Sequence, residues 1–165
     1  MNKTALDLGC GPTPKNPFGM QEVYGIDMYS DPDAKIYKSD LAIEPIPFPD
    51  QFFDGVTAFD FIEHIPRLVY VPHRRYSFVE LMNEIYRVLK PGGLFFSCTP
   101  AFPSAAAFKD PTHVNIITEE TFPIYFDNIS RHSKIYGFNG YFEIQEQKWN
   151  DTKTHLLTLM KKVLP

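Results

Sequence analysis

Several classes of protein are closed to this chain by what it lacks. No apolar run in its 165 residues approaches the roughly 20 that span a bilayer. The first ten residues lack the long apolar stretch of a signal peptide and already carry Asp7. The expectation is a cytoplasmic protein with no membrane segment. Cysteine is scarce: Cys10 and Cys98 make neither a disulfide framework nor a zinc-type spacing. Each reads as a small buried residue in a reducing compartment. A basic excess is also missing. The net charge is −4 with the two signs interspersed, which argues against a broad face for duplex nucleic acid. No repeat, low-complexity tract or linker interrupts the chain, so residues 1–165 are expected to form one domain.

Proline, by contrast, is abundant. Of its fifteen prolines, eleven cluster at 12–17, 45–49, 66–72 and 100–111, each time between segments that read as regular structure, so they punctuate loops. Thr4-Ala-Leu-Asp-Leu8, Val23-Tyr-Gly-Ile26, Lys35-Ile-Tyr-Lys38, Gly55-Val-Thr-Ala-Phe59 and Leu94-Phe-Phe-Ser-Cys98 are short apolar runs followed by turn residues or an acid. Strands of a parallel sheet, covered on both faces, read this way. From Tyr76 to Leu89, Phe78, Leu81, Met82, Ile85, Val88 and Leu89 recur at spacings of three and four, predicting an amphipathic helix. Lys90-Pro91-Gly92-Gly93 ends it. A second helix is predicted from Thr118, with Glu119, Glu120 and Thr121 as its opening signature, to about Asn128. Phe142 to Trp149 and Thr154 to Leu164, split by Asn150-Asp151, predict a closing antiparallel pair.

Strands alternating with crossovers make an open α/β sheet, whose ligand sits outside the carboxyl ends of the strands where strand order reverses. Asp27, Asp40 and Asp60 all fall at such ends. Three acids in succession point to a ligand rich in hydroxyl and amine donors. Gly9 and Gly11 open the first turn and let the main chain pass close to a ligand. A dinucleotide site would place a third glycine three residues on, to bring helix N–H groups to a pyrophosphate. Pro14 stands there instead, bulkier and without an N–H, which opposes a nicotinamide cofactor. Asp27, twenty residues after Asp7, suits a ribose diol.

Leu6-Asp7-Leu8-Gly9-Cys10-Gly11, Gly25-Ile26-Asp27, Ser39-Asp40-Leu41, Phe53-Asp54-Gly55-Val56 through Glu63-His64-Ile65, and Arg87-Val88-Leu89-Lys90-Pro91-Gly92-Gly93 stand in an order that resembles the class I S-adenosylmethionine (SAM)-dependent methyltransferases, in particular their small type 11 group. The resemblance runs over roughly Thr4 to Thr99. It implies an α/β, Rossmann-like, seven-stranded, mostly parallel sheet with helices on both faces and a C-terminal antiparallel hairpin. It implies S-adenosyl-L-methionine as cofactor. Asp7, Gly9, Cys10 and Gly11 would line its methionine part, Asp27 would hold the ribose, and Met28 would pack on the adenine. Asp40 would accept from the adenine amino group, Leu41 would donate its main-chain N–H, and Asp60 and Phe61 would close over the cofactor. The chain departs from the family in two places. Its first strand is expected to begin almost at residue 4, where many family members have a helix ahead of that strand, and Pro12 to Glu22 leaves room for one helical turn or none. A second subunit, as in a homodimer, is the expected source of the missing wall.

A methyltransferase mainly holds two reactants in line and excludes water, and adds a base only where the acceptor must lose a proton. Glu63, His64 and His113 are the catalytic candidates, since imidazoles titrate near neutrality and His113 lies in the loop after the fifth strand. The bland alternative is that Glu63-His64 only organises its loop. Asp60-x-x-Glu63-His64 with His113 is also similar to the metal set of small-RNA 2′-O-methyltransferases and to a motif of ubiquinone-pathway O-methyltransferases. The first ligand there is Glu rather than Asp, and no metal is assigned. Arg67, His73, Arg74 and Arg75 offer either a receiver for an acidic acceptor or a solvated loop. Phe102, Pro103, Phe108 and Pro111 offer either an apolar acceptor wall or a cap on the sheet. No Asn/Asp-Pro-Pro-aromatic motif follows the fourth strand, so the expected acceptor is an oxygen or nitrogen of a small molecule. The rival expectation is a SAM-binding, methyltransferase-like regulatory or scaffold subunit without catalysis of its own.

Overall fold

The computed structural model describes residues 2–165. Four strands come first: β1 (Thr4–Leu8), β2 (Glu22–Asp27), β3 (Ile36–Lys38) and β4 (Phe53–Phe59). A small antiparallel ribbon of β5 (Val69–Tyr70) and β6 (Arg74–Arg75) leads into α1 (Ser77–Val88). Then follow β7 (Leu89–Pro100), α2 (Thr121–Tyr125), β8 (Phe142–Trp149) and β9 (His155–Lys162). Seven strands form one sheet in the order β3-β2-β1-β4-β7-β9-β8. Only β9 runs against its neighbours, pairing antiparallel with both β7 and β8. The seven-stranded sheet and the closing hairpin are those expected from the sequence.

The apolar runs become the central strands because both their faces are covered. In β1, Ala5, Leu6 and Leu8 are fully buried. The stripe on α1 is buried as its spacing predicts, with Phe78, Leu81, Met82, Ile85 and Val88 all inward. The helix stops where Leu89 turns extended and enters β7. A run of rings continues this core: Phe78 meets Phe126 edge-on at 5.3 Å, and Phe126 meets Phe138 at 5.1 Å. Strand order reverses at β1, with β2 and β3 on one side and β4 and β7 on the other. The ligand crevice of such a sheet therefore lies over the carboxyl ends of β1 and β4.

The helical cover is thinner than expected. α1 and α2 share one face, since Phe78 also packs on Phe122. On the other face no helix stands between β1 and β2, as the short span Pro12 to Glu22 predicts. An irregular, proline-rich loop lies there instead: a Cβ at Gly55 would sit 2.7 Å from Phe18, and one at Gly25 would sit 2.9 Å from Pro14. The second helix spans only Thr121–Tyr125, not Thr118 to Asn128. Its expected first turn is drawn elsewhere, because Gln147 and Trp149 of β8 donate to the Glu119 carbonyl and carboxylate. Its expected last turn is stopped by Asp127, whose carboxylate accepts from Ile129 and Ile144 N–H. The β8 donors lie outside the window on which helix periodicity acts, whereas Asp127 lies inside it.

Candidate active site

The first turn of the crevice is built as the glycine spacing requires. Gly9 and Gly11 adopt φ of +64° and +59°, a region other residues rarely enter. Gly9 also has no room for a side chain, since a Cβ there would lie 2.4 Å from the Phe61 ring. Asp27 at the end of β2 closes the turn: its carboxylate accepts from Gly11 N–H at 2.8 Å and from Met28 N–H at 2.7 Å. Met28 is 60% exposed beside it. Asp7 is buried and accepts from Lys15 N–H and the Thr57 hydroxyl. Burial raises its carboxyl, and these two bonds work against that rise. Asp7 therefore acts on the crevice by anchoring the loop at Lys15. Cys10 turns its thiol inward, against Gly25, so it offers main chain to the crevice. Burial, helped by Asp7 and Asp27, pushes that thiol up to about 12.

The rim carries the remaining candidates. Asp40 accepts from Ala42 N–H and sits beside Leu41, which is buried. Asp60, at φ +49°, hydrogen-bonds His155 Nε2 at 2.8 Å. That partner on β9 was not foreseen, and nothing local could have shown a contact across 95 positions. Phe61 packs on Gly9, so the turn after β4 does close over the glycine turn.

The three catalytic candidates meet. Ligand-capable atoms of Glu63, His64 and His113 lie within 4.8 Å of one another. The rings of His64 and His113 are 4.9 Å apart at 78°. Glu63 is 1% exposed. Its Oε2 accepts from Thr99 Oγ1 at 2.7 Å, while Oε1 is buried without a partner. Burial raises this carboxyl, against the pull of its hydrogen bonds. The Glu63 carbonyl accepts from Val114 and Asn115 N–H, which pins the loop after β7 to the end of β4. His113 Nδ1 is likewise buried and unpartnered.

Thr112, missed in the sequence, sets the tautomer of His64. Its hydroxyl lies 2.6 Å from Asp110 Oδ1 and 3.0 Å from His64 Nδ1. Hydrogen bonds from the Thr112 hydroxyl and N–H hold the Asp110 carboxyl below its ordinary value, so the ionised carboxylate takes the only hydroxyl proton. Thr112 is then placed to accept from His64 Nδ1–H, which in the neutral ring leaves the lone pair on Nε2. The signal was present as Asp110-x-Thr112, a spacing that forms side-chain-capped turns.

A cavity of about 570 Å³ opens nearby, with Tyr76, Phe78, Tyr125 and Tyr136 in its wall and Arg67 and Thr118 among its polar groups. Arg67 donates to Asn115 Oδ1 at 2.7 Å, so the wall is two residues removed from Glu63. The cations of the insert are partly taken up in structure. Arg75 binds Glu80 and the Ile43 carbonyl, and Arg74 lies over Tyr76.

A family model for the methyltransferase domain matches residues 6–97, more than half of the chain. The chain belongs to the methyltransferase-domain family. It is 31% identical over 134 residues to the sterol 24-C-methyltransferase of Pneumocystis carinii, a match covering 70% of this chain and 32% of that one. It is 29% identical over 127 residues to the demethylmenaquinone methyltransferase of a Geobacillus species, covering 65% and 49% respectively. The chain thus spans between about a third and a half of the length of these two curated relatives. A SAM-dependent methyltransferase from Archaeoglobus fulgidus superposes with a TM-score of 0.63 over 97% of this chain and 86% of its own. At 19% identity that likeness shows the shared fold.

S-adenosylmethionine is the cofactor of this methyltransferase family, and the crevice fits it. The positive-φ glycines bring main chain to the rim, Asp27 is preset as an acceptor, and Met28 offers an exposed apolar surface beside it. No helix among the described residues is long and apolar enough to cross a membrane.

Proposed function

We propose that the chain transfers a methyl group from S-adenosylmethionine to an oxygen or nitrogen of a small molecule. When bound, the cofactor supplies a methyl group on a sulfonium, already activated for in-line displacement. The observation that carries the reading is the preset Asp27 carboxylate, locked by two main-chain N–H groups at the mouth of a positive-φ glycine turn. Asp27 is assigned to the ribose hydroxyls, Met28 to the adenine face, Asp40 and Leu41 to the adenine edge, and Gly9 to Gly11 to the methionine part. Asp60 and Phe61 are assigned to close over the cofactor.

The acceptor side falls to the loops after β4 and β7. His64 Nε2, whose lone pair is set by the Asp110–Thr112 relay, takes the proton that an acceptor hydroxyl must lose. Glu63 and His113 complete the polar wall. The aromatic cavity beside Arg67 supports an acceptor with an apolar body, as do the sterol and menaquinone names of the relatives, although the sterol name gives a carbon and not an oxygen or nitrogen as the methylated atom.

Single-turnover assays over pooled small molecules, RNA and protein test this reading. His64→Ala should lower the rate on a hydroxyl acceptor by about 10²–10⁴-fold. Thr112→Val should lower it less, and Thr112→Ser should restore it. Loss of Thr112 without effect would refute the relay. Binding of SAM with no transfer to any pool would favour a regulatory or scaffold subunit. The thinly covered sheet face, where Leu94, Phe96, Leu157 and Leu159 are half-buried, supports a homodimer. Light scattering that shows a monomer at every concentration would refute it.

A further inference from the structure

We propose that Glu63, His64 and His113 form a binding site for a divalent cation of the transition series. The proposal uses the methyl-transfer reading only for what the ion does, not for its existence. Three observations carry it. First, the three side chains come from the end of β4 and from the loop after β7, and their ligand atoms converge within 4.8 Å. Two metal–ligand bonds of about 2.1 Å span about 4.2 Å at most, so closing on an ion takes a small rotamer adjustment. Second, the two most enclosed donors have nothing to bind. Glu63 Oε1 and His113 Nδ1 are both buried and unpartnered, and Glu63 as a whole is 1% exposed. An unpartnered buried polar atom is costly, and a cation held by these side chains would relieve that cost. Third, the surroundings already hold ligands in a metal-ready state. The Thr112 hydroxyl lies 3.0 Å from His64 Nδ1, which leaves Nε2 as the available donor of that ring, and Thr99 fixes the second oxygen of Glu63. Carboxylate and hydroxyl partners of this kind orient ligands in metal sites.

Asp60 is not part of the set. Its carboxylate is engaged by His155 on β9. Two imidazoles and one carboxylate leave open positions for an exogenous oxygen. Imidazole donors favour zinc, iron, cobalt or nickel over magnesium, which prefers oxygen and retains its waters. With an ion present, His64 lends Nε2 to the metal. The task of acidifying a coordinated acceptor hydroxyl then passes from the imidazole to the cation, with the proton leaving to solvent.

The test is calorimetric titration of chelator-stripped protein with Zn²⁺, with Mg²⁺ in a parallel arm. Zn²⁺ should bind with a stoichiometry of one and raise the melting temperature. Glu63→Gln and His113→Ala should each weaken it by about tenfold or more. His73→Asn, on the exposed insert, should leave it unchanged. Co²⁺ should give a visible absorption band that both ligand variants lose. Absence of Zn²⁺ binding, unchanged Zn²⁺ affinity in both folded variants, or Mg²⁺ binding as tight as Zn²⁺ would each overturn the site. A SAM titration on the same preparations separates the two readings. SAM bound without Zn²⁺ sinks the cation site alone, and Zn²⁺ bound without SAM sinks the cofactor reading alone.

Discussion

Replacing Asp27 by Ala removes the group on which the cofactor crevice turns. The carboxylate holds two main-chain donors, Gly11 N–H at 2.8 Å and Met28 N–H at 2.7 Å. Hydrogen bonds to a charged group contribute about 1.5–3 kcal/mol each. Asp27 is half-buried and the freed N–H groups can reach water, so the lower end applies, for a total loss of about 3 kcal/mol. For a domain of this size that corresponds to a melting temperature lower by roughly 6–12 °C. The loss for SAM is separate. Two ribose hydroxyls lose their acceptor, and about 2.8 kcal/mol of binding corresponds to about 100-fold in Kd. Asp27→Asn retains one carbonyl acceptor and should fall between the two. Calorimetry with SAM and its demethylated product, beside a thermal melt of each variant, reads both quantities. A folded Asp27→Ala protein that binds SAM as tightly as wild type would refute the ribose assignment and the crevice drawn from it.

Other consequences follow from the same geometry. Gly9→Ala places a Cβ 2.4 Å from the Phe61 ring at a φ of +64°, so it should cost about 1–3 kcal/mol and abolish SAM binding, as read by melting and calorimetry. Burial works to raise the Asp54 carboxyl, but Lys90 at 2.7 Å and Thr4 N–H at 2.9 Å hold it below its ordinary value. Its contribution to stability is therefore full above that ordinary value and fades as pH falls through the lower one. The gap between wild type and Asp54→Asn in urea melts should shrink from about pH 5 to about pH 3. A gap that widens on acidification would reverse the sign. Cys10, pushed up to about 12 by burial and two aspartates, should resist iodoacetamide in the native protein and react only once urea opens the crevice.

The expectations that held rest on short-range rules. β1, β2 and β4 were readable because an apolar run ending in Gly9, Asp27 or Asp60 carries its whole message within a few residues. α1 was readable because its stripe needs only a 3.6-residue period. Even the glycine turn is local, since φ above zero at Gly9 and Gly11 is a property of those two residues.

Tertiary structure decided what pairs with what. Asp60 binds His155 from β9, Thr112 sets the tautomer of His64 across 48 positions, and Gln147 and Trp149 pull Glu119 out of the helix its signature announces. It also left one sheet face to a proline-rich loop. The sequence by itself determined the strands, the long helix and the cofactor turn, because dihedral preference and periodicity act over a handful of neighbouring residues. The company each carboxylate and imidazole keeps was decided only when the sheet order brought β4, β7 and β9 together.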